Sequence, residues 1–220
     1  MMSQSIIDAA LILVVLLNLA MLATSRLARC VRIFAMQSLL LAALPLLLEL
    51  QHTRALGLHP VAIAFGAAAL KVIVIPWVLL RVLRTGEIHR EVEPMIGFTA
   101  SMLLGSLIVI ACFAFGHRLV LPVKPQSDLL LSVSMATVLN GLLILVSRVK
   151  AITQVVGFLI VENGVFIFGL LLLEQTPVLV ELGILLDLFV AVFIMGIVVY
   201  HIRREFDHMD TNLLDALKES

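Results

Sequence analysis

Three ionisable residues stand inside long apolar runs: Lys71 in ALKVIVIPW, Glu162 in LIVENGVF and Asp187 in ILLDLFV. A charge at the centre of a bilayer costs about 2.5–3.5 kcal/mol on an insertion scale, so such residues usually face a protein interior and usually serve function. Two carboxylates and one amine at a common depth suit proton exchange. Ionisable residues in such positions recur along proton and ion pathways, where buried acids and bases pass protons between them. The competing reading is structural: Lys71 pairs with one carboxylate and locks helices together, which leaves the other acid over. Both readings stand at the level of sequence.

Neutral polar residues accompany the charges. Asn140 is central in its run and is the neutral residue best placed to line a water path; with Lys71, Glu162 and Asp187 it completes the candidate proton-pathway set. Asn18, Gln37 and Ser38 read as interhelical hydrogen bonds, and Asn163 as a bond within the bundle. Pro76 frees the carbonyl of Val72, beside Lys71, which predicts a kink able to hold water or steer an ammonium. Pro45 reads as a packing kink. Gly157, Gly164, Gly183 and Gly196 read as close helix approach, and Glu49, Glu174 and Glu181 as interfacial acids, with Glu181 a candidate proton exit.

The elements that carry these residues must lie in a membrane. Of 220 residues, 62% are hydrophobic and 14% charged, and the mean hydropathy is +1.16. A soluble domain has about 45–50% apolar and about 25% charged residues, so this chain lacks the polar surface to cover itself in water. The charge-free runs predict an all-α, polytopic membrane protein with seven transmembrane helices. The spans fall at about 6–24, 32–50, 60–81, 95–115, 128–147, 154–173 and 178–201, each near the length of about 20 residues that crosses hydrocarbon. Continuous apolar runs argue against a β-barrel, whose strands alternate. Pro60, Pro94 and Pro177 sit at or before span starts, and Asp128 is placed to cap the fifth. No basic residue precedes Arg26, so the first run reads as a span and not as a secretory signal.

Orientation follows the basic residues. Arg26, Arg29, Arg32, Arg81, Arg84, Arg90, Arg148, Lys150, Arg203, Arg204 and Lys218 fall on one side of the seven-span layout, and Arg54, Arg118 and Lys124 on the other. The N-terminus is predicted outside and the C-terminus in the cytoplasm.

Several function classes are excluded. Net charge is zero with no basic block, so nucleic-acid binding is not indicated. The charged stretch at about 82–94 reads as a solvated connector, and no loop is long enough for a soluble catalytic lobe. No HExxH, GxSxG, P-loop or GxGxxG motif occurs in a fitting context. Cys30 and Cys112 stand far apart, and the six histidines scatter over both sides, so no cofactor and no metal site is expected. A retinal protein would want its lysine in the last helix, and an odd span count does not divide into a transporter's two repeats. The tail at 205–220 places Phe206, Met209, Leu213, Leu214 and Leu217 at helical spacing, which suits a short interfacial helix or a docking segment.

The last three spans carry a pattern. Ser147-Arg148-Val149-Lys150 leads into a run with Gly157, Glu162 and Asn163; a short loop follows, then a run with Asp187 that ends in Tyr200-His201-Ile202-Arg203-Arg204. This resembles chain K of respiratory complex I and is similar to the corresponding small subunit of multi-subunit cation/proton antiporters. Leu159 stands where chain K usually carries its carboxylate, and Glu162 lies about one helical turn further on. With four spans ahead of that module, the whole layout resembles hydrogenase-4 component E, a membrane subunit of formate hydrogenlyase-type nickel–iron hydrogenases. The resemblance implies an N-terminal four-helix region at 1–127, a chain K-like module at 128–204 and a cytoplasmic tail at 205–220. It implies a multi-pass subunit of a bacterial inner membrane that catalyses nothing itself. Its partners would be antiporter-like and quinone-site-like membrane subunits, with peripheral hydrogenase and iron–sulfur subunits. Its part would be a midplane proton pathway driven by electron transfer elsewhere. Membership in a cation/proton antiporter and a purely structural scaffold are the alternatives.

Overall fold

A computed structural model describes residues 2–49, 70–85, 95–119 and 127–172. The elements among the described residues are all helices, with no strand. We label the helices α1 (Met2–Ala23), α2 (Leu27–Glu49), α3 (a π-helical turn, Leu70–Val74, running into Ile75–Thr85), α4 (Phe98–Gly116), α5 (Leu129–Ser147) and α6 (Ala151–Leu172). Five of them, α1, α2, α4, α5 and α6, are long and apolar enough to cross a bilayer. The protein is therefore a multi-pass membrane protein. Hydrocarbon offers no hydrogen bonds, so each spanning backbone must satisfy itself within its own helix. The third expected span is described only from Leu70, and the seventh, at 178–201, lies outside the described residues, as do the 205–220 tail and Asp187.

Helix ends differ from the hydropathy boundaries for physical reasons. α2 starts at Leu27, so Arg29 and Arg32 belong to its first turns and not to a loop. Hydropathy marks entry into hydrocarbon, while the helix begins earlier, in the interface. At the start of α5, Asp128 makes no side-chain cap. Ser127 takes that role: its Oγ accepts the Leu129 N–H at 3.2 Å and donates to Asp8 Oδ1 of α1 at 2.6 Å. The hydroxyl can accept and donate at once, which a carboxylate cannot.

α5 and α6 form the most extensive helix pair. Their backbones touch: a Cβ added at Gly141 would lie 2.7 Å from Val161 N, at Gly157 2.8 Å from Leu145 N, and at Gly164 2.7 Å from Val138 N. Only glycine fits at such a distance, and small residues at the interface are what bring membrane helices together. The packing role expected for Gly157 and Gly164 is what the structure gives them. α1 and α2 then lie across this pair.

The turns at 24–26 and 148–150 mark one end of the bundle, here called the basic end. Arg148 fixes them to each other. Its guanidinium Nη2 donates to Leu22 O at 2.8 Å, and its charge lies 4.3 Å from the centroid of Phe98 on α4. Leu22 sits in the last turn of α1, where carbonyls have no partner within the helix, so the arginine satisfies a group that hydrocarbon would leave bare. The N–H of Met95, just ahead of α4, donates to Ser147 O at 3.0 Å. The ends of α1, α4, α5 and α6 thus meet at the basic end.

Candidate functional site

The buried side chains sort into three layers. One apolar cluster occupies the basic end, with Met21, Leu22, Phe34, Ile75, Leu79, Ile144 and Ile160 among its members. A second occupies the opposite end, with Ile7, Leu11, Leu41, Leu44, Leu131, Val133 and Ile167. Between them five helices contribute polar residues. α1 gives Asn18, α2 gives Gln37 and Ser38, α3 gives Lys71, α5 gives Thr137 and Asn140, and α6 gives Glu162 and Asn163. Along α1, α2, α5 and α6 alike, the chain passes from one cluster through its polar residues to the other.

Helix length sets the depth of this layer. Glu162 lies eleven residues into the 22-residue α6, which at 1.5 Å per residue is about half of a length of about 33 Å. Lys71 reaches it from α3, with Nζ 2.9 Å from Glu162 Oε1. The carboxylate side chain is 2% exposed and the lysine side chain 13%. Phe166, one turn after Glu162, lies 5.9 Å from Nζ by its ring centroid. The ammonium is therefore held between a carboxylate and an aromatic face of the same helix, and both attract a cation.

Lys71 stands on the π-helical turn Leu70–Val74. Pro76 follows two residues after that turn. Its ring excludes a normal bond to the carbonyl of Val72, and a π turn is one way a helix absorbs that break. The kink expected at Pro76 thus takes the form of a π turn that carries the lysine.

The neutral residues form two strings. Gln37 Nε2 donates to Asn18 Oδ1 at 2.9 Å, and Asn18 Nδ2 donates to Thr137 Oγ1 at 2.9 Å, linking α2, α1 and α5. Asn163 Nδ2 donates to Ser38 Oγ at 3.5 Å, linking α6 and α2. Asn18, Gln37, Ser38 and Asn163 are thus the interhelical bonds expected of them. Gln37 and Ser38 are neighbours on α2, as are Glu162 and Asn163 on α6, so both strings lie at the depth of the ion pair. Asn140 is wholly buried, one turn from Thr137 on the same face of α5.

Of the candidate residues, the structure brings Lys71 and Glu162 into contact and sets Asn140 in the same layer; Asp187 lies outside the described residues. Three contributors are not legible in the sequence alone. Phe166 is one aromatic among many in apolar runs, and only its position four residues after Glu162 marks it. Thr137 looks like an ordinary helical threonine until Asn18 is found opposite. Arg148 reads as a loop charge, yet it is 2% exposed; its place directly after the last residue of α5 is the available signal. Cys30 and Cys112 are free and buried, on α2 and α4.

Comparison with known proteins identifies the family. The chain is 31% identical over 148 residues to hydrogenase-4 component E of Escherichia coli K12, covering 67% of this chain and 68% of that protein. The same identity and coverage hold for hydrogenase-4 component E of Shigella flexneri. The uncharacterized protein Rv0085 of Mycobacterium tuberculosis is 31% identical over 191 residues, covering 86% of this chain and 85% of that one. The chain belongs to the hydrogenase-4 component E family. No family model matches it, and no solved structure does.

Proposed function

We propose that this protein is an integral membrane subunit of a proton-translocating hydrogenase complex of the formate hydrogenlyase type. Within it the polar layer contributes to a midplane proton pathway. The observation that carries the reading is the Lys71–Glu162 pair, which lies near half-depth between two apolar clusters, with hydrogen-bonded polar residues beside it. Lys71 and Glu162 exchange and tune charge, Asn140 belongs to the hydrated part, and Asp187 on the seventh span extends the set. Seven spans, an outside N-terminus and a cytoplasmic C-terminus complete the topology, in the inner membrane of a bacterium. The division at 127/128 sets the chain K-like module apart as the carrier of both carboxylates.

Membership in the hydrogenase-4 component E family supports the assignment to a hydrogenase complex. Partners are then antiporter-like and quinone-site-like membrane subunits and peripheral hydrogenase and iron–sulfur subunits, which supply electron transfer and its energy. Moving one proton through a field of 100 mV involves about 2.3 kcal/mol.

The direct contact at 2.9 Å also favours a second reading, in which the pair only ties α3 to α6. Co-purification tests the assignment first. A tagged chain drawn from membranes in mild detergent brings down nickel–iron and iron–sulfur subunits in fixed ratio. Recovery of the chain with cation/proton antiporter subunits alone would transfer it to that class of complex.

A further inference from the structure

We propose that the outer surface of α2 and α3 at the basic end binds an anionic phospholipid, with Arg29, Arg32 and Arg81 on its phosphate and the apolar residues beneath them along its acyl chains. This site is separate from the polar layer and goes beyond the proton pathway. Depth is the first observation. Ser38 accepts from Asn163, the neighbour of Glu162, and so marks half-depth on α2; Lys71 marks it on α3. At 1.5 Å per residue, Arg32 lies about 9 Å from that level, Arg29 about 14 Å and Arg81 about 15 Å, against a hydrocarbon half-thickness of about 15 Å. Arg29 and Arg81 therefore stand at the level of the lipid phosphates, and Arg32 stands inside the hydrocarbon.

All three arginines are exposed. Arg32 heads a stripe on α2 with Met36 and Leu39, and Arg81 heads one on α3 with Trp77 and Ile73; the four apolar side chains are each more than half exposed. Spacings of three and four residues put each stripe on one helix face. α2 and α3 are packed against each other through the apolar cluster of the basic end, so the two stripes belong to one helix pair. A charge above such a stripe reaches outward along its own stem and meets the headgroups there. Arg81 is held at that boundary: its Cζ lies 5.3 Å from the ring centroid of Trp77, one turn nearer half-depth, and an exposed tryptophan is itself a residue of the membrane interface. Among the described residues, Asp8, Glu49 and Asp128 belong to the opposite end and Glu162 to half-depth, so the basic end carries surplus positive charge. A phosphodiester with net negative charge balances it, and guanidinium meets phosphate through paired hydrogen bonds. Phosphate above and apolar stripe below is the chemistry of a phospholipid and not of a soluble anion.

Native mass spectrometry of the full-length chain, with phosphatidylglycerol, cardiolipin or phosphatidylethanolamine added, tests this. The wild type holds the two anionic lipids and not phosphatidylethanolamine. Arg32→Gln combined with Arg81→Gln weakens anionic lipid about 30-fold, the loss that two arginines near an anionic surface carry. Arg118→Gln at the opposite end changes nothing. Equal binding of all three lipids, or an equal loss in Arg118→Gln, would overturn the site. Glycerol 3-phosphate, which has the phosphate without the chains, leaves the lipid in place; displacement by it would reject the lipid in favour of a free phosphate. Should the double variant fail to accumulate, unfolding of the wild type decides. A melting temperature raised by the anionic lipids and not by phosphatidylethanolamine upholds the site, and one melting temperature in all three overturns it. That second result is the one expected if acids of the chain itself, Glu87, Glu91 and Glu93 in the connector after α3, hold the arginines instead.

Discussion

Lys71 on α3 and Glu162 on α6 meet at 2.9 Å, with the carboxylate closed off from everything but the protein and the ammonium resting against Phe166. The contact joins a helix broken by a π turn to the helix most tightly packed in the bundle. It is the one place among the described residues where opposite charges pair inside a spanning helix bundle.

Breaking that pair from one side removes the counter-charge 2.9 Å from a buried charge. Lys71→Met or Glu162→Met alone should destabilise by about 3–5 kcal/mol, while the double change should cost clearly less than the sum, because two apolar side chains need no partner. Thermal unfolding of the detergent-solubilised chain measures this. Additive losses would show that the two side chains do not depend on each other.

The α5–α6 contact permits no side chain. Gly157→Ala places a methyl 2.8 Å from the backbone nitrogen of Leu145, which cannot rotate away, whereas Gly169→Ala meets nothing within 4 Å. Overpacking costs about 1–3 kcal/mol when neighbours can shift, and here they are backbone. Gly157→Ala should therefore accumulate poorly and unfold early, and Gly169→Ala should behave as wild type; equal behaviour would contradict the packing.

Arg148 should not tolerate lysine. An ammonium can reach Leu22 O or sit over Phe98, but it lacks the planar fork that does both. Hydrogen bonds involving charged groups contribute about 1.5–3 kcal/mol, so Arg148→Lys and Arg148→Ala should both lower the unfolding temperature, with Phe98→Leu giving a smaller loss. A wild-type melt for Arg148→Lys would contradict this account of the basic end.

Much of this was legible in the residues. The apolar runs gave five spanning helices to within a few residues, because hydrocarbon forces backbone pairing within each run. Lys71 and Glu162 were legible because a charge in such a run demands a partner, although which acid Lys71 would choose was not, since depth is readable and helix azimuth is not. The string through Asn18, Gln37 and Thr137 depends on α1, α2 and α5 being neighbours, a relation that no single run of residues shows. Arg148 deceived because a basic residue in a short turn usually faces water. Asp128 deceived because a first-turn acid and a capping residue look alike in sequence, while Ser127 had the better geometry.

The basic end is predicted to face the cytoplasm. Ser25→Cys in the first turn should stay unlabelled by a membrane-impermeant thiol reagent in intact cells and react in inverted vesicles. Arg118→Cys beyond α4 should do the opposite. The native Cys30 and Cys112 are buried and give a low background. The reverse pattern would invert the orientation.

The most direct test of the central claim is the ratio of vesicle acidification to hydrogen evolved, taken on one preparation of inverted vesicles. Glu162→Gln removes the titratable group and keeps hydrogen-bonding capacity next to Lys71; the double Lys71→Met, Glu162→Met variant serves if that protein assembles poorly. The account predicts an assembled complex that still evolves hydrogen and moves fewer protons for each molecule formed. A wild-type ratio in the assembled variant would contradict it and leave Lys71 and Glu162 as a structural tie.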